Sequence, residues 1–397
     1  MPDPKVEDVF KLSGVPTFTF VKPLEYEKLY VALRTPGRGV VIEGPSGIGK
    51  TTTVSRVLSE LGTQGSTLTL SARKPDDAEF VKALPTLKSS GTVQIDDFHR
   101  LDESTQRQIA DYLKTLADEE RTDTKLILIG INKTGDTLVQ FAADLNTRID
   151  TIRFEKNPED RVLELVQKGE QALNVKISAG RDIAKSANGS FLVAQMLSFE
   201  TCLAEGVKEA VAETKTLSSS IEATTAQVME TLSRRFMSLA IRFASGTKLR
   251  REGRAPYLHM LKWLAESNEW SILLDHEIAN HPDQKASVGQ VVEKGYLAYL
   301  LKNAPELAAV LHYVPATRIL TVEDPQFIFF LRNLSWTKFA ERVGYLNIHF
   351  DSEYDFALSF AGPDRPFAKR LFELLAEEEM SVFFDENEQH RILGEEC

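Results

Sequence analysis

Gly44-Pro45-Ser46-Gly47-Ile48-Gly49-Lys50-Thr51-Thr52 is the stretch whose reading decides the fold of the N-terminal part of this chain. Glycines at three of these positions let backbone N–H groups turn inward around an anion, a path that a side chain would obstruct. Lys50 supplies a compact charge for the β and γ phosphates of a nucleotide, and the Thr51 hydroxyl is a ligand for Mg²⁺. The preceding run Gly39 to Glu43, GVVIE, is short and apolar and reads as a buried strand. Thr51 to Leu61 reads as a helix closed by Gly62, so its positive end faces the same anion. A glycine turn that merely precedes a helix has no need of lysine and threonine in this register. Gly44, Pro45, Ser46, Gly47, Ile48, Gly49, Lys50, Thr51 and Thr52 are therefore assigned to the phosphate of ATP or ADP, and Thr51 also to the metal.

Downstream, short apolar runs alternate with amphipathic ones. Strands are expected at Leu68 to Leu70, Thr92 to Ile95, Leu126 to Ile129 and Ile149 to Phe154. Helices are expected at Asp76 to Leu84 and Ser104 to Ala117, the second capped by Ser104 or Asp102. Strands alternating with helices predict an α/β fold with a parallel sheet covered on both faces. Asp96 and Asp97 end one strand. Asp96 is expected to hold Mg²⁺ through water and Asp97 to polarise the attacking water, although two aspartates also suit a strand end and turn. Asn132 follows the next strand, as a turn residue or as a contact to the γ-phosphate or water. Arg148, just ahead of the last strand, reads either as a surface ion-pair member or as an arginine finger reaching a neighbouring subunit.

From Asn157 the pattern turns helical. We expect residues 1–156 to form the ATPase core, 157–225 a helical lid, and 226–335 a helical linker with a winged helix. Residues 1–14 read as a mobile leader. Within the winged helix, Ile272 to Ile278 and Ala286 to Leu301 are expected helices, followed by strands Leu311 to Val314 and Arg318 to Val322. Arg234, Arg235, Arg242, Lys248, Arg250, Arg251 and Arg254 form the most basic stretch, a candidate for nucleic acid or a phosphate-bearing trigger. Ala286 to Leu301 carries few cations and many valines, which favours an intramolecular clamp on the ATPase over DNA reading. His276 and His281 are weighed as a metal pair against simple turn residues.

Composition narrows the field. The net charge of −11 weighs against general nucleic-acid binding, since phosphate neutralisation drives most of that affinity. No apolar run approaches the roughly 20 residues of a membrane span. With 2 cysteines and no signal peptide, a cytoplasmic protein without a disulfide framework is expected.

Near the end, Tyr354 to Phe360 alternates as a strand, Ala361-Gly362-Pro363-Asp364-Arg365 is a loop, and Pro366 to Glu379 has the period of a helix. Val382-Phe383-Phe384 is a second strand, ended by Asp385.

Two resemblances follow from these residues. Residues 15–200 resemble an AAA+ or STAND ATPase, through the phosphate loop, Asp96-Asp97-Phe98-His99-Arg100-Leu101, the strand with Asn132, and the segment around Gly189. That resemblance implies a nucleotide between sheet and lid, with Val15 to Phe20 near the base and Pro16 in contact with it. The segment Gly189-Ser190-Phe191 lacks the arginine usual in AAA+ lids and the proline of the STAND motif, and no Met-His-Asp motif follows. Ser359-Phe360-Ala361-Gly362, Asp364-Arg365 and Val382-Phe383-Phe384-Asp385 resemble the start of a bacterial TIR domain, a partial flavodoxin-like fold over 350–397. The resemblance implies NAD⁺ as substrate of a complete TIR domain, whose glutamate belongs to a later helix than this sequence reaches. No NADase activity is expected of the 397 residues themselves.

Together these imply a signalling switch. ATP would drive self-assembly and bring TIR domains together, depleting NAD⁺ in defence against phage, with an unidentified trigger or sensor and other TIR domains as partners. The alternative is a DNA-associated helper ATPase with winged-helix DNA contacts, in which the TIR-like end is an interaction module. A TIR segment that only scaffolds other TIR proteins is a third reading.

Overall fold

The computed structural model describes residues 3–45, 47–130, 145, 147–249, 254–346, 348, 356–358, 364–377 and 382–383. Ser46, Asn132, Arg250 and Arg251 lie outside the described residues, as do most of those that carry the TIR resemblance. The chain divides into two units, Met1–Leu334 and Ser335–Cys397.

The first unit is built on five strands: β1 (Gly39–Glu43), β2 (Thr67–Ser71), β3 (Gly91–Asp96), β4 (Thr124–Ile129) and β5 (Ile149–Arg153). They lie parallel in the order β2-β3-β4-β1-β5. Every residue of β1 is buried, as expected of a central strand covered on both faces. Among the described residues this part has five helices: α1 (Val6–Val9), α2 (Tyr26–Arg34), α3 (Lys50–Glu60), α4 (Pro75–Ala83) and α5 (Glu103–Asp118). On α5, Ile109, Leu113 and Leu116 pack into one core with Val93, Ile95 and Leu128 of the sheet. Asp102, and not Ser104, caps α5, accepting from Thr105 N at 2.9 Å.

Residues 3–14 are not a mobile leader. Val6, Val9 and Phe10 are buried, and Val6 N donates to Lys208 O at 2.9 Å. Phe10 lies on Gly169, whose missing side chain makes room for the ring. The spacing of Val6, Val9 and Phe10 is one turn of a helix, a signal too short to weigh against the polar residues around it.

Beyond the sheet come the helices Glu159–Leu173, Gly180–Ala187 and Phe191–Ala204. A parallel pairing of Val175–Ile177 with Lys215–Leu217 closes this part, and the sequence reading had no strand at either place. Helix Ile221–Ala244 follows. Three strands, Ser271–Leu273, Leu311–Val314 and Ile319–Val322, then form an antiparallel sheet with Ile319–Val322 in the middle. Ser271–Leu273 takes the first residues of the expected helix, which runs only over Leu274–Asn280. The expected long helix is two, Pro282–Glu293 and Tyr296–Asn303, because Gly295 sits at φ 71° between them. Helix Pro325–Arg332 was not anticipated. Its Phe327 and Phe330 close on Phe236 at ring distances of 5.4 and 6.0 Å. Lys156 ties this region to the segment after β5, pairing with Glu269 at 2.7 Å.

His276 and His281 serve local structure. His276 meets Asn280 at 3.2 Å, and His281 stacks on Trp263 with centroids 4.6 Å apart. Among the described residues no cluster of three or more His, Cys, Asp or Glu could hold a metal. Nor is any described helix long and apolar enough to cross a membrane.

In the second unit, Trp336–Val343 is a helix with Phe339, Ala340 and Val343 buried. Phe356–Ala357 pairs in parallel with Val382–Phe383, and helix Arg365–Glu377 lies between them in the chain. The expected succession of strand, helix and strand is present.

Candidate functional site

At the carboxyl ends of β1, β3 and β4 lies a cleft of about 490 Å³. Open α/β sheets bind ligands at this end, because loops there are free of the ladder and helix N-termini converge. Gly44 leaves β1 at φ 145°, and a Cβ there would stand 2.5 Å from Phe154 O. Gly47 and Gly49 also take positive φ, and Gly49 passes the chain into α3. Gly47, Gly49, Lys50, Thr51 and Thr52 line the cleft. Ile48 does not; its side chain is buried in the core, so that residue offers only its backbone.

Lys50 is buried, and its ammonium donates to the carbonyls of Gly44 and Pro45, each at 2.7 Å. Burial brings its pKa down to about 8, against the pull of Asp96, Glu323 and Asp97. Thr51 Oγ1 donates to Asp96 Oδ2 at 3.0 Å. The Asp96 carboxyl is raised above its ordinary value by burial and by the adjacent Asp97 charge, with the Asp97 N–H and the Thr51 hydroxyl opposing. Asp97 occupies the left-handed region at φ 56° and donates its N–H to Asp96 Oδ1 at 2.9 Å. Its carboxylate holds the Arg73 guanidinium through two bonds, 2.6 and 3.0 Å.

Arg73 was missed by the sequence reading. A signal existed, since β2 and β3 are neighbours in register with Ser71 opposite Asp96. A residue just past Ser71 therefore emerges beside Asp97, but only the strand order reveals this.

Away from the phosphate loop the cleft turns apolar, with Pro16, Phe20, Val21, Leu165 and Phe191 on its walls. Arg56 binds Pro16 O at 2.8 Å and lies over the Phe20 ring at 5.1 Å. Six residues of helix separate Lys50 from Arg56, about 9 Å along the axis, which suits the reach from phosphate to base. Two buried polar groups face this end, Thr19 and Gln195: Thr19 Oγ1 donates to Val9 O at 3.0 Å and lies 3.3 Å from Gln195 Oε1. Ser190 caps helix Phe191–Ala204 by accepting from Val193 N at 3.2 Å. Leu192 lies 3.2 Å from where a Gly47 Cβ would stand, so an apolar side chain of this helix meets the loop.

The other predicted residues are elsewhere. Arg148 is not brought to this cleft within one chain. It precedes Ile149, which pairs with Gly39 at the far end of β1, and it binds Asp118 at 2.6 Å. Ile129 and Gly130 reach the cleft, while Asn132 lies outside the described residues. In the basic stretch, Arg234 pairs with Glu230 at 2.7 Å, Arg235 with Asp324 at 2.8 Å and Arg242 with Glu306 at 3.6 Å. Three of its charges are thus already answered.

The donor set suits Mg²⁺. A hydroxyl and a carboxylate 3.0 Å apart supply two hard oxygens beside a phosphate loop. Magnesium in such sites takes its remaining ligands from water and phosphate, so no larger protein cluster is required.

The family model described as ATPase family associated with various cellular activities (AAA) matches residues 40–155. No curated protein matches the chain. Among solved structures, a Thermotoga maritima RuvB variant shares 18% identity at TM-score 0.44, over 77% of this chain and 96% of that one. Cdc6p from Pyrobaculum aerophilum shares 15% at TM-score 0.39, over 85% and 98%. The Aeropyrum pernix ORC1 protein, solved in complex with DNA, shares 12% at TM-score 0.44, over 85% and 98%. The match over β1 to β5 and the loop that grips Lys50 lead to one conclusion: residues 40–155 form a P-loop domain that matches the AAA ATPase family.

Proposed function

We propose that the protein is an ATP-binding and slowly ATP-hydrolysing switch that assembles with copies of itself when it holds ATP. The observation that carries this reading is the convergence of Lys50, Thr51, Asp96 and Asp97 at one end of the cleft. Lys50 is held by its own loop and partly desolvated, so an arriving phosphate restores the charge that burial disfavours. Thr51 and Asp96 would hold the metal, which when bound neutralises phosphate charge. Asp97 would accept a proton from the attacking water. Pro16, Phe20 and Leu165 exclude water from the base end.

Such a switch turns only as far as its ligand discriminates between states, so the γ-phosphate must be read differently from ADP. The lid and the C-terminal part of the first unit are the elements that respond. The Lys156–Glu269 pair and the influence of Glu323 on Lys50 support an intramolecular clamp over the nucleotide. Assembly would gather the C-terminal segments, which we read as TIR-like, and NAD⁺ consumption by completed TIR domains would be the output, with other TIR domains and a trigger as partners. The winged-helix reading of residues 226–335 rests on the three-stranded sheet and the short helices Pro256–Glu266, Leu274–Asn280 and Pro282–Glu293 that accompany it.

Calorimetry with ATP and ADP, with and without Mg²⁺, followed by light scattering, tests this reading. Magnesium-dependent binding and ATP-dependent growth in mass are expected for the unaltered protein, and both should vanish in Lys50→Ala. No heat with either nucleotide would refute it. The DNA-helper reading is disfavoured by the paired state of Arg234, Arg235 and Arg242; a salt-sensitive shift of duplex DNA in electrophoresis would revive it.

A further inference from the structure

We infer that Gln195 selects the base of the nucleotide: its amide carbonyl accepts from the exocyclic amine of adenine and repels a purine that carries an oxygen there. This rests on the nucleotide reading above and deepens it. Gln195 lies one turn past Phe191 on helix Phe191–Ala204, and both line the apolar end of the cleft. The helix is otherwise apolar here, with Val193, Ala194, Met196 and Leu197 buried. Gln195 itself is only 5% exposed, so its amide must find partners in protein or ligand.

One partner is Thr19 Oγ1, 3.3 Å away. A hydroxyl carries a single proton. Val9 O lies 3.0 Å from the same hydroxyl, is buried, and accepts from no other group among the described residues. The Thr19 proton therefore stays on Val9 O, and Thr19 meets Gln195 with a lone pair. Two oxygens repel at such a contact, so the Gln195 amide turns its Nε2 toward Thr19 and donates. Its carbonyl is left without a partner among the described residues, in the cleft that Gln195 lines.

Neighbouring backbone acceptors are already engaged. Lys11 Nζ donates to Val15 O at 3.3 Å, Arg56 Nη2 to Pro16 O at 2.8 Å, and Lys168 Nζ to Phe20 O at 2.8 Å. Those carbonyls are drawn to cations, whereas Gln195 offers an unused acceptor in a buried wall. An exocyclic N–H satisfies it. An exocyclic oxygen brings a second lone pair and leaves both oxygens desolvated without a donor. The Thr19 proton, by settling on Val9 O, fixes which of the two the site accepts.

The test is calorimetry on the full chain with Mg²⁺, using ADP and inosine diphosphate, which carries an oxygen where ADP carries its amine. The unaltered protein is expected to bind ADP at least about tenfold more tightly, the order set by one buried hydrogen bond left unmade. In Gln195→Leu the acceptor is gone, so ADP affinity should fall about tenfold and the preference should shrink to within about threefold. Thr19→Val removes the proton that orients the amide, and inosine diphosphate should then gain several-fold, because Nε2 is free to turn toward its oxygen. Thr19→Ser keeps the hydroxyl and should keep the preference. Melting curves by circular dichroism establish that each variant is folded. Equal affinity of the unaltered protein for the two nucleotides, or an unchanged ratio in folded Gln195→Leu, would overturn the inference while leaving the nucleotide site intact. An unaltered protein that binds neither nucleotide would overturn the nucleotide reading, and the inference with it.

Discussion

The Thr51 hydroxyl donates to the Asp96 carboxylate across 3.0 Å, joining the first turn of α3 to the end of β3. Two residues 45 apart in the chain thereby face one point, where a magnesium ion would take an oxygen from each side. Asp96→Asn keeps the shape and removes the charge. We expect it to abolish most of the gain in ATP affinity that Mg²⁺ confers, about tenfold, and to leave metal-free binding unchanged. Fluorescent-nucleotide titrations at several Mg²⁺ concentrations measure this directly.

The buried ammonium of Lys50 predicts a pH signature. Its pKa falls from 10.5 unfolded to about 8 folded, so between these values the unfolded chain binds more protons and stability from this group rises with pH. Below about 8 the charge is present in both states and that gain is absent. ATP needs the charged form, so affinity should weaken above pH 8, by up to about tenfold per unit while a proton must be taken up. Calorimetry from pH 7 to 9.5 reads the slope. Lys50→Arg, charged throughout this range, should bind with no such slope.

Phe10 occupies the space over Gly169, where a Cβ would stand 2.2 Å from the ring. Gly169→Ala should therefore lever the N-terminal segment off helix Glu159–Leu173, destabilising the protein by about 1–3 kcal/mol as in other overpacked cores. Limited proteolysis near residues 11–15 should accelerate. Combining it with Phe10→Ala should lose less stability than the two single changes summed, and simple additivity in thermal melts would show that the contact is unimportant.

Arg148 sits across the sheet from the phosphate loop and binds Asp118. If it completes the site of a neighbouring copy, Arg148→Ala should reduce hydrolysis at least about tenfold with nucleotide affinity unchanged. Mixing this variant with Lys50→Ala should restore part of the activity, because each lacks a different half of a shared site. Turnover that stays low in every mixing ratio would leave Arg148 as the partner of Asp118 and nothing more.

The phosphate loop, Asp96 and Asp97 are legible in the sequence, and Lys50, Thr51, Asp96 and Asp97 meet at the cleft. The phosphate loop and Asp96-Asp97 announce themselves because each residue type answers a chemical need at fixed spacing. Pro16 was expected near the base from the family resemblance, and it lines the cleft. Arg73 and Gln195 were not foreseen. Neither belongs to a local pattern, and both come to the cleft through pairings between elements distant in the chain. The long helix over Ala286 to Leu301 was misread because Gly295 looked tolerable inside an apolar period, whereas its φ of 71° ends the helix there.

The chain's own pattern determined the alternation of strands and helices, the phosphate loop and the acidic strand end, because periodicity and loop chemistry act over a few neighbouring residues. Tertiary structure alone decided that β1 lies between β4 and β5, that Phe10 covers Gly169, and that Arg73 rests on Asp97. These depend on packing and charge between segments far apart in the chain, and such contacts leave no local trace in the order of residues.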